Sequence, residues 1–179
     1  LRQLALPLPE HQAVLEGYLQ NIDRAGDQLA RLEEMVEAKA VRWRLYPVVT
    51  ALMCLRGFQL VAATTLVAEL GDVRRFERAS DLMAFLGLIP SERSTGQTRR
   101  QGAITKTGNG HARWMMIEAS HSVYLPPKVS APLSRRQEGQ WEIFKSIGWK
   151  AQTRLHKRYW QLPARKVMTA KIQVAVARE

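Results

Sequence analysis

A single cysteine is all the chain carries, so no internal disulfide can staple it. Cys54 lies within the apolar run 48–55 and reads as a buried structural thiol of a reducing cytoplasm. The four histidines, His11, His111, His121 and His156, are scattered, and no cysteine stands near them in a metal-ligand spacing, which argues against a zinc site. No apolar run approaches the roughly 18 residues a membrane span requires. The most apolar stretch, Val48 to Leu55, is short and interrupted by Thr50. The opening Leu1-Arg2-Gln3-Leu4 lacks an initiator methionine, a hydrophobic signal core and a small-residue cleavage site, and reads as a cut end. No useful length of alternating apolar and polar residues marks a strand, and no internal repeat is present. The absences together point to a cytoplasmic, all-α protein without a membrane role.

Acidic residues are scarce in one half only. Residues 1–89 hold ten Lys and Arg against eleven Asp and Glu, whereas residues 90–179 hold seventeen against five. The net charge of +11 therefore belongs to the second half, as expected of a surface that neutralises phosphates. A basic membrane-binding patch or a merely solvated surface would carry the same sign. Trp141, Trp149, Tyr159 and Trp160 interleave with these cations, however, and aromatic rings and guanidinium groups also stack on bases.

Hydrophobic spacing divides the chain into a long helix over residues 1–45 and a helical domain over 46–179. In the first part Leu15, Tyr18, Ile22, Ala25, Leu29, Leu32 and Val36 follow steps of three and four, a heptad seam within a helix from about Pro9 to Trp43. That seam predicts either a coiled coil joining subunits or a helix folded back on its own domain. Gly17 and Gly26 each cost roughly 1 kcal/mol of helix propensity, so packing must support the helix. From Tyr46 to Leu88 three short helices are punctuated by Gly57, Gly71-Asp72 and Gly87, the third with Ser80 as its N-cap. The first two, around the glycine turn, have the form of a helix-hairpin-helix, whose turn amides can hold a phosphate. A glycine chosen there for steric reasons alone is the other reading.

The segment Pro90 to Gly102 has neither periodicity, yet it joins two apolar helices, and a connection of that length is usually functional or disordered. Thr107 or Asn109 then caps a helix with Ala112, Met115, Met116 and Ala119 inward, running to about Tyr124. Pro126-Pro127 end it. A basic loop or short helix with Arg135 and Arg136 follows, then a helix from about Gln140 to Trp160 and a last one starting near Pro163.

The order of these pieces resembles the C-terminal half of the insertion-sequence-110/1111 transposases. The resemblance rests on Glu69-Leu70-Gly71-Asp72 with Arg75-Phe76, Leu82 to Leu86, and Gly87-Leu88-Ile89-Pro90. It continues through Ser94-Thr95-Gly96, Arg99-Arg100-Gln101-Gly102-Ala103-Ile104-Thr105-Lys106-Thr107-Gly108-Asn109 and Arg113. Pro126-Pro127, Gly148-Trp149-Lys150-Ala151-Gln152, Arg154-Leu155 and Ala175 to Glu179 complete it. At the hairpin, where the family shows Pro-Gly-Ile-Gly, this chain reads Leu55-Arg56-Gly57-Phe58-Gln59. The resemblance implies a two-part, RNA-guided recombinase. An N-terminal domain, absent from this chain, would supply an acidic tetrad holding Mg2+, and this part would supply a serine nucleophile. A coiled coil would separate the parts and help assemble a homo-oligomer. DNA and a guide RNA transcribed from the element would be the partners, and a further apolar helix would follow Glu179.

On that alignment the nucleophile is Ser94, or Thr95, whose methyl group crowds the approach to phosphorus. The nucleic-acid contacts fall to Arg93, Arg99, Arg100, Lys106, Asn109, Arg113, Lys150 and Arg154. A serine hydroxyl attacks phosphorus poorly unless its proton is removed and the developing charge is stabilised. Arg93, Arg99, Arg100 and Lys106 supply cations near Ser94 in sequence, but only Glu92 is near enough in sequence to act as a base, so a base or metal must come from elsewhere. Without the resemblance, the chain reads as a non-enzymatic nucleic-acid-binding module or a coiled-coil dimerisation piece.

Overall fold

The structure, a computed structural model, describes residues 2–92, 101–162 and 168–179. The chain divides into two compact units, residues 1–43 and residues 44–179. The first consists mainly of helix α1, Pro9–Ala40, entered through Pro9, which suits a first helical turn because it has no amide to leave unpaired. The helix ends short of Trp43: the Val41 amide still bonds Glu37 O at 3.1 Å, and the next two residues tighten into a turn. Along its predicted seam Tyr18, Ile22, Leu29 and Leu32 are exposed.

Among the described residues the second unit is helical with one small ribbon. Its helices are α2 (Tyr46–Met53), α3 (Leu60–Leu70), α4 (Ala79–Phe85), α5 (Gly110–Ser120), α6 (Ala131–Gln137), α7 (Glu142–Gln161) and α8 (Thr169–Arg178). Short 3-10 turns at Val73–Arg75 and His121–Tyr124 connect some of them. Helix α3 lies at the centre, packed on α2 and α5, and α5 in turn packs on α8. Val49, Ala63, Val67, Leu86, Leu88 and Ala112 are fully buried in this core. A second cluster, Val123, Leu162, Ile172 and Val176, holds α7 and α8 to the 3-10 turn after α5.

Three elements differ from the sequence expectation. Strands β1 (Pro90–Glu92) and β2 (Gln101–Ile104) pair antiparallel, so the two ends of the expected unstructured connection form a ribbon. Strands of three and four residues are too short to show alternation, and backbone bonds to the preceding helix end help to place them. Helix α4 starts at Ala79 after an Arg78 N-cap, not at Ser80. The Asp81 carboxylate accepts the Arg78 amide at 3.0 Å, and the Ser80 hydroxyl donates to that same carboxylate. Helix α8 starts at Thr169, and the helix start expected near Pro163 lies outside the described residues. Elsewhere Asn109, one of the two candidate caps, is the N-cap of α5. Cys54 is buried, and burial pushes its thiol pKa up.

The turn between α2 and α3 has a steric cause. Gly57 has φ +96°, and a Cβ there would lie 2.0 Å from the Ala119 carbonyl oxygen at the end of α5. Beside it α7 crosses closely, since a Cβ on Gly148 would meet Cys54 O at 2.6 Å. The freed carbonyls at the end of α2 are capped from α6: Arg136 Nε donates to Met53 O at 3.1 Å and Gln137 Nε2 to Cys54 O at 3.0 Å. Gly57→Ala is therefore expected to cost at least about 3 kcal/mol in urea unfolding, strain and overpacking together. Gly71 has φ +64° and ψ −129° but nothing within 4 Å of an added Cβ, so Gly71→Ala should cost the backbone strain alone, about 1–3 kcal/mol. Equal losses at the two positions would contradict the close approach at Gly57.

Candidate functional site

The residues that lead from the ribbon into α5 are clasped to the end of α4 by their backbones. Thr105 N donates to Ile89 O at 2.9 Å, Lys106 N to Gly87 O at 3.0 Å, and Asn109 N to Phe85 O at 2.8 Å. The approach is too close for side chains. A Cβ on Gly87 would lie 2.3 Å from Thr107 O, and one on Gly108 would lie 2.2 Å from Phe85 O. Both glycines have positive φ, and so does Lys106 at 57°, a conformation that costs a non-glycine residue roughly 1–2 kcal/mol. Arg113 closes the clasp, its Nη1 donating to Leu86 O at 2.9 Å and to Lys106 O at 3.3 Å.

A polar cluster sits beside this clasp, between α3 and α5. The Asn109 side chain caps α5 by accepting Ala112 N at 2.9 Å, and its Nδ2 donates to Glu69 Oε2 at 2.6 Å. The other Glu69 oxygen faces His111 Nδ1 at 2.7 Å. These two hydrogen bonds, Asn109's the larger effect and His111's next, hold the Glu69 carboxyl below its ordinary range. The folded-state pKa is depressed, so what the cluster adds to stability is complete above the ordinary carboxylate range. It is lost as pH falls through the lowered value. The His111 ring lies nearly parallel to Trp114, with centroids 6.4 Å apart, and Trp114 is exposed.

Of the residues singled out in the sequence, Ser94, Thr95, Arg93, Arg99 and Arg100 lie outside the described residues. Lys106, Asn109 and Arg113 come together at the clasp, where Asn109 and Arg113 bond to the protein itself and the Lys106 side chain is exposed. Lys150 and Arg154 are on a different element, α7. Lys150 is exposed, and Arg154 pairs with Glu179, its Nη1 3.1 Å from Oε2 and its Nη2 2.7 Å from the main-chain oxygen. Arg158 meets the same carboxylate at 2.7 Å. Arg56 donates to the carbonyls of Leu125 and Pro126. Part of the basic charge thus caps backbone inside the fold. Sequence reasoning missed Glu69, His111 and Trp114, because the first two are 42 positions apart and no local spacing links them. The capping residue Asn109 was the one available signal, since it brings α5's first turn to whatever its amide reaches.

Residues 49–132 match the profile of the Transposase IS116/IS110/IS902 family, and the chain belongs to that family. A protein of Sinorhizobium fredii named a transposase is 42% identical over 164 residues, which are 89% of this chain and 42% of the relative. A protein of Pseudomonas aeruginosa named a family 20 transposase is 30% identical over 120 residues, 67% of this chain and 34% of the relative. The transposase for insertion sequence element IS1111A of Coxiella burnetii is 31% identical over 67 residues, covering 37% of this chain and 18% of the relative. The chain thus spans less than half the length of each of these relatives.

Arg113→Ala should lower stability by about 2 kcal/mol or more, because two backbone carbonyls lose a charged donor. Lys150→Ala should change it by less than about 0.5 kcal/mol. Thermal unfolding of the two variants checks this, and an Arg113→Ala protein as stable as the parent would remove the clasp's closing bond from the account.

Proposed function

We propose that this chain is the part of an RNA-guided DNA transposase that carries the serine nucleophile and much of the nucleic-acid contact. The observation that carries the reading is the 42% identity, over 89% of the chain, to a protein named a transposase. The concentration of cations after residue 90 supports the nucleic-acid part of the proposal. In this reading Ser94 Oγ bonds to phosphorus as the bond from phosphorus to the sugar oxygen breaks. The phosphodiester energy is kept in the serine–phosphate linkage, and strands are rejoined without ATP. Arg93, Arg99, Arg100 and Lys106 steady the charge on the pentavalent phosphorus.

Mg2+ belongs, in the same proposal, to an acidic tetrad in a separate N-terminal domain. Among the described residues no three His, Cys, Asp or Glu side chains converge so as to hold a metal, and no step within this chain is routed through one. DNA and a guide RNA are the proposed partners. Assembly of subunits is assigned to the exposed apolar seam of α1, whose Ile22, Leu29 and Leu32 would be covered in a homo-oligomer. No helix among the described residues is long and apolar enough to cross a membrane.

Three measurements test these parts separately. In the full-length protein Ser94→Ala should abolish the covalent DNA adduct trapped by denaturing electrophoresis, and Thr95→Ala should not. Loss in Thr95→Ala alone moves the nucleophile by one residue, and an adduct surviving both changes takes this segment out of the chemistry. Binding to DNA or RNA should weaken steeply between roughly 50 and 200 mM salt, with Lys150→Ala lowering the salt slope by about one. Leu29→Glu with Leu32→Glu should leave a monomer in sedimentation with the 44–179 unit still folded. A parent that is already monomeric would end the assembly role of α1.

A further inference from the structure

Outside the segment assigned to the nucleophile, one cluster pairs an imidazole with a carboxylate at an exposed position. Glu69, in the last turn of α3, and His111, in the first turn of α5, meet at 2.7 Å through Oε1 and Nδ1. Against a carboxylate oxygen Nδ1 carries the hydrogen, which leaves the Nε2 lone pair of the neutral ring to accept a proton. Among the described residues Nε2 has no hydrogen-bond partner, and the His111 side chain is 57% exposed. The arrangement has the logic of a base oriented by a carboxylate, in which one ring nitrogen is held and the other is presented.

A purely structural role accounts for less of this geometry. Asn109 already ties α5 to Glu69 at 2.6 Å while capping the helix, so the tie between the two helices exists without His111. The second bond does something the first does not: it fixes the direction of an exposed ring, which Trp114 also flanks in near-parallel stacking. The dyad lies at the end of the domain where the clasp roots the ribbon, since Asn109, Lys106 and Thr105 bond to the Phe85–Ile89 backbone immediately before it. Lys106, at the same clasp, is an exposed cation suited to hold a phosphate. The Arg113 guanidinium is turned toward the backbone carbonyls.

We propose that His111, oriented by Glu69, is the acid–base group for phosphoryl transfer at this end of the domain. The inference rests on the transposase reading. As the attacking hydroxyl oxygen bonds to phosphorus, His111 Nε2 takes its proton. As the bond from phosphorus to the leaving sugar oxygen breaks, that oxygen, on the opposite side of phosphorus, takes a proton from water, and the imidazolium gives its proton to solvent. The exchange is balanced and needs no reactant beyond water. The same ring works in reverse when the strand is rejoined.

The test is single-turnover formation of the protein–DNA adduct by full-length protein, compared for the parent, His111→Ala and His111→Asn. Asparagine keeps an N–H for Glu69 but has no basic nitrogen, so it preserves the helix tie and removes only the proton transfer. Both variants are expected to be slowed about 100-fold. Added imidazole should restore part of the rate to His111→Ala, whose truncation leaves an exposed space. A His111→Asn protein at the parental rate overturns the proposal, as does a slowed His111→Ala protein that imidazole does not rescue. An absence of adduct in the parent itself overturns the transposase reading instead, so the two failures are told apart.

Discussion

The second unit depends on one constraint, the backbone clasp between the end of α4 and the segment that enters α5. Three amides and one guanidinium bond five carbonyls there, and two glycines let the chains approach closer than any side chain would allow. Without it the ribbon would have no fixed root, because strands of three and four residues cannot hold themselves in place. Helix α5 would also lose its starting point, and with it the contact that orders Glu69. The conformation of Lys106, unfavourable for a residue with a side chain, persists because both of its backbone polar groups are bonded in the clasp.

Several arginines bond within the fold rather than extending into solvent. Arg56, Arg113 and Arg136 donate to backbone carbonyls, and Arg154 and Arg158 converge on Glu179. A guanidinium suits this work because it offers several donors in a planar fork, and burial lowers the Arg136 pKa only against a very high starting value. Lys106 and Lys150 are placed otherwise, extending from the surface. A count of cations therefore overstates the charge free to meet phosphate, and the exposed lysines, with the arginines of residues 93–100, are where the proposed contact is concentrated.

The two units stand in different regimes. The second buries a contiguous core around α3, with Ala63 and Val67 fully enclosed. In the first, α1 has large apolar side chains along one stripe and leaves most of them in water. An isolated helix so composed, with two interior glycines, is weakly supported by propensity alone. That imbalance is the physical motive for assigning the stripe to association.

What the sequence determined by itself was local and periodic. The helix pattern, the proline entries and glycine stops, a cap at Thr107 or Asn109 and the asymmetry of charge were all legible, because each depends on residues within one or two turns. The order of small motifs was legible too, and it led to the family to which the chain belongs. The ribbon was not, since its pairing is held by carbonyls of a preceding helix end and its strands are too short for periodicity. Nor was the N-cap of α4, where Asp81 outcompetes Ser80 by reaching the Arg78 amide. The internal roles of Arg113 and Arg154 and the pairing of Glu69 with His111 were decided by tertiary structure alone. Their partners lie between 7 and 42 positions away, and only packing α3, α4 and α5 together, or α7 with the end of α8, sets those groups within hydrogen-bond reach.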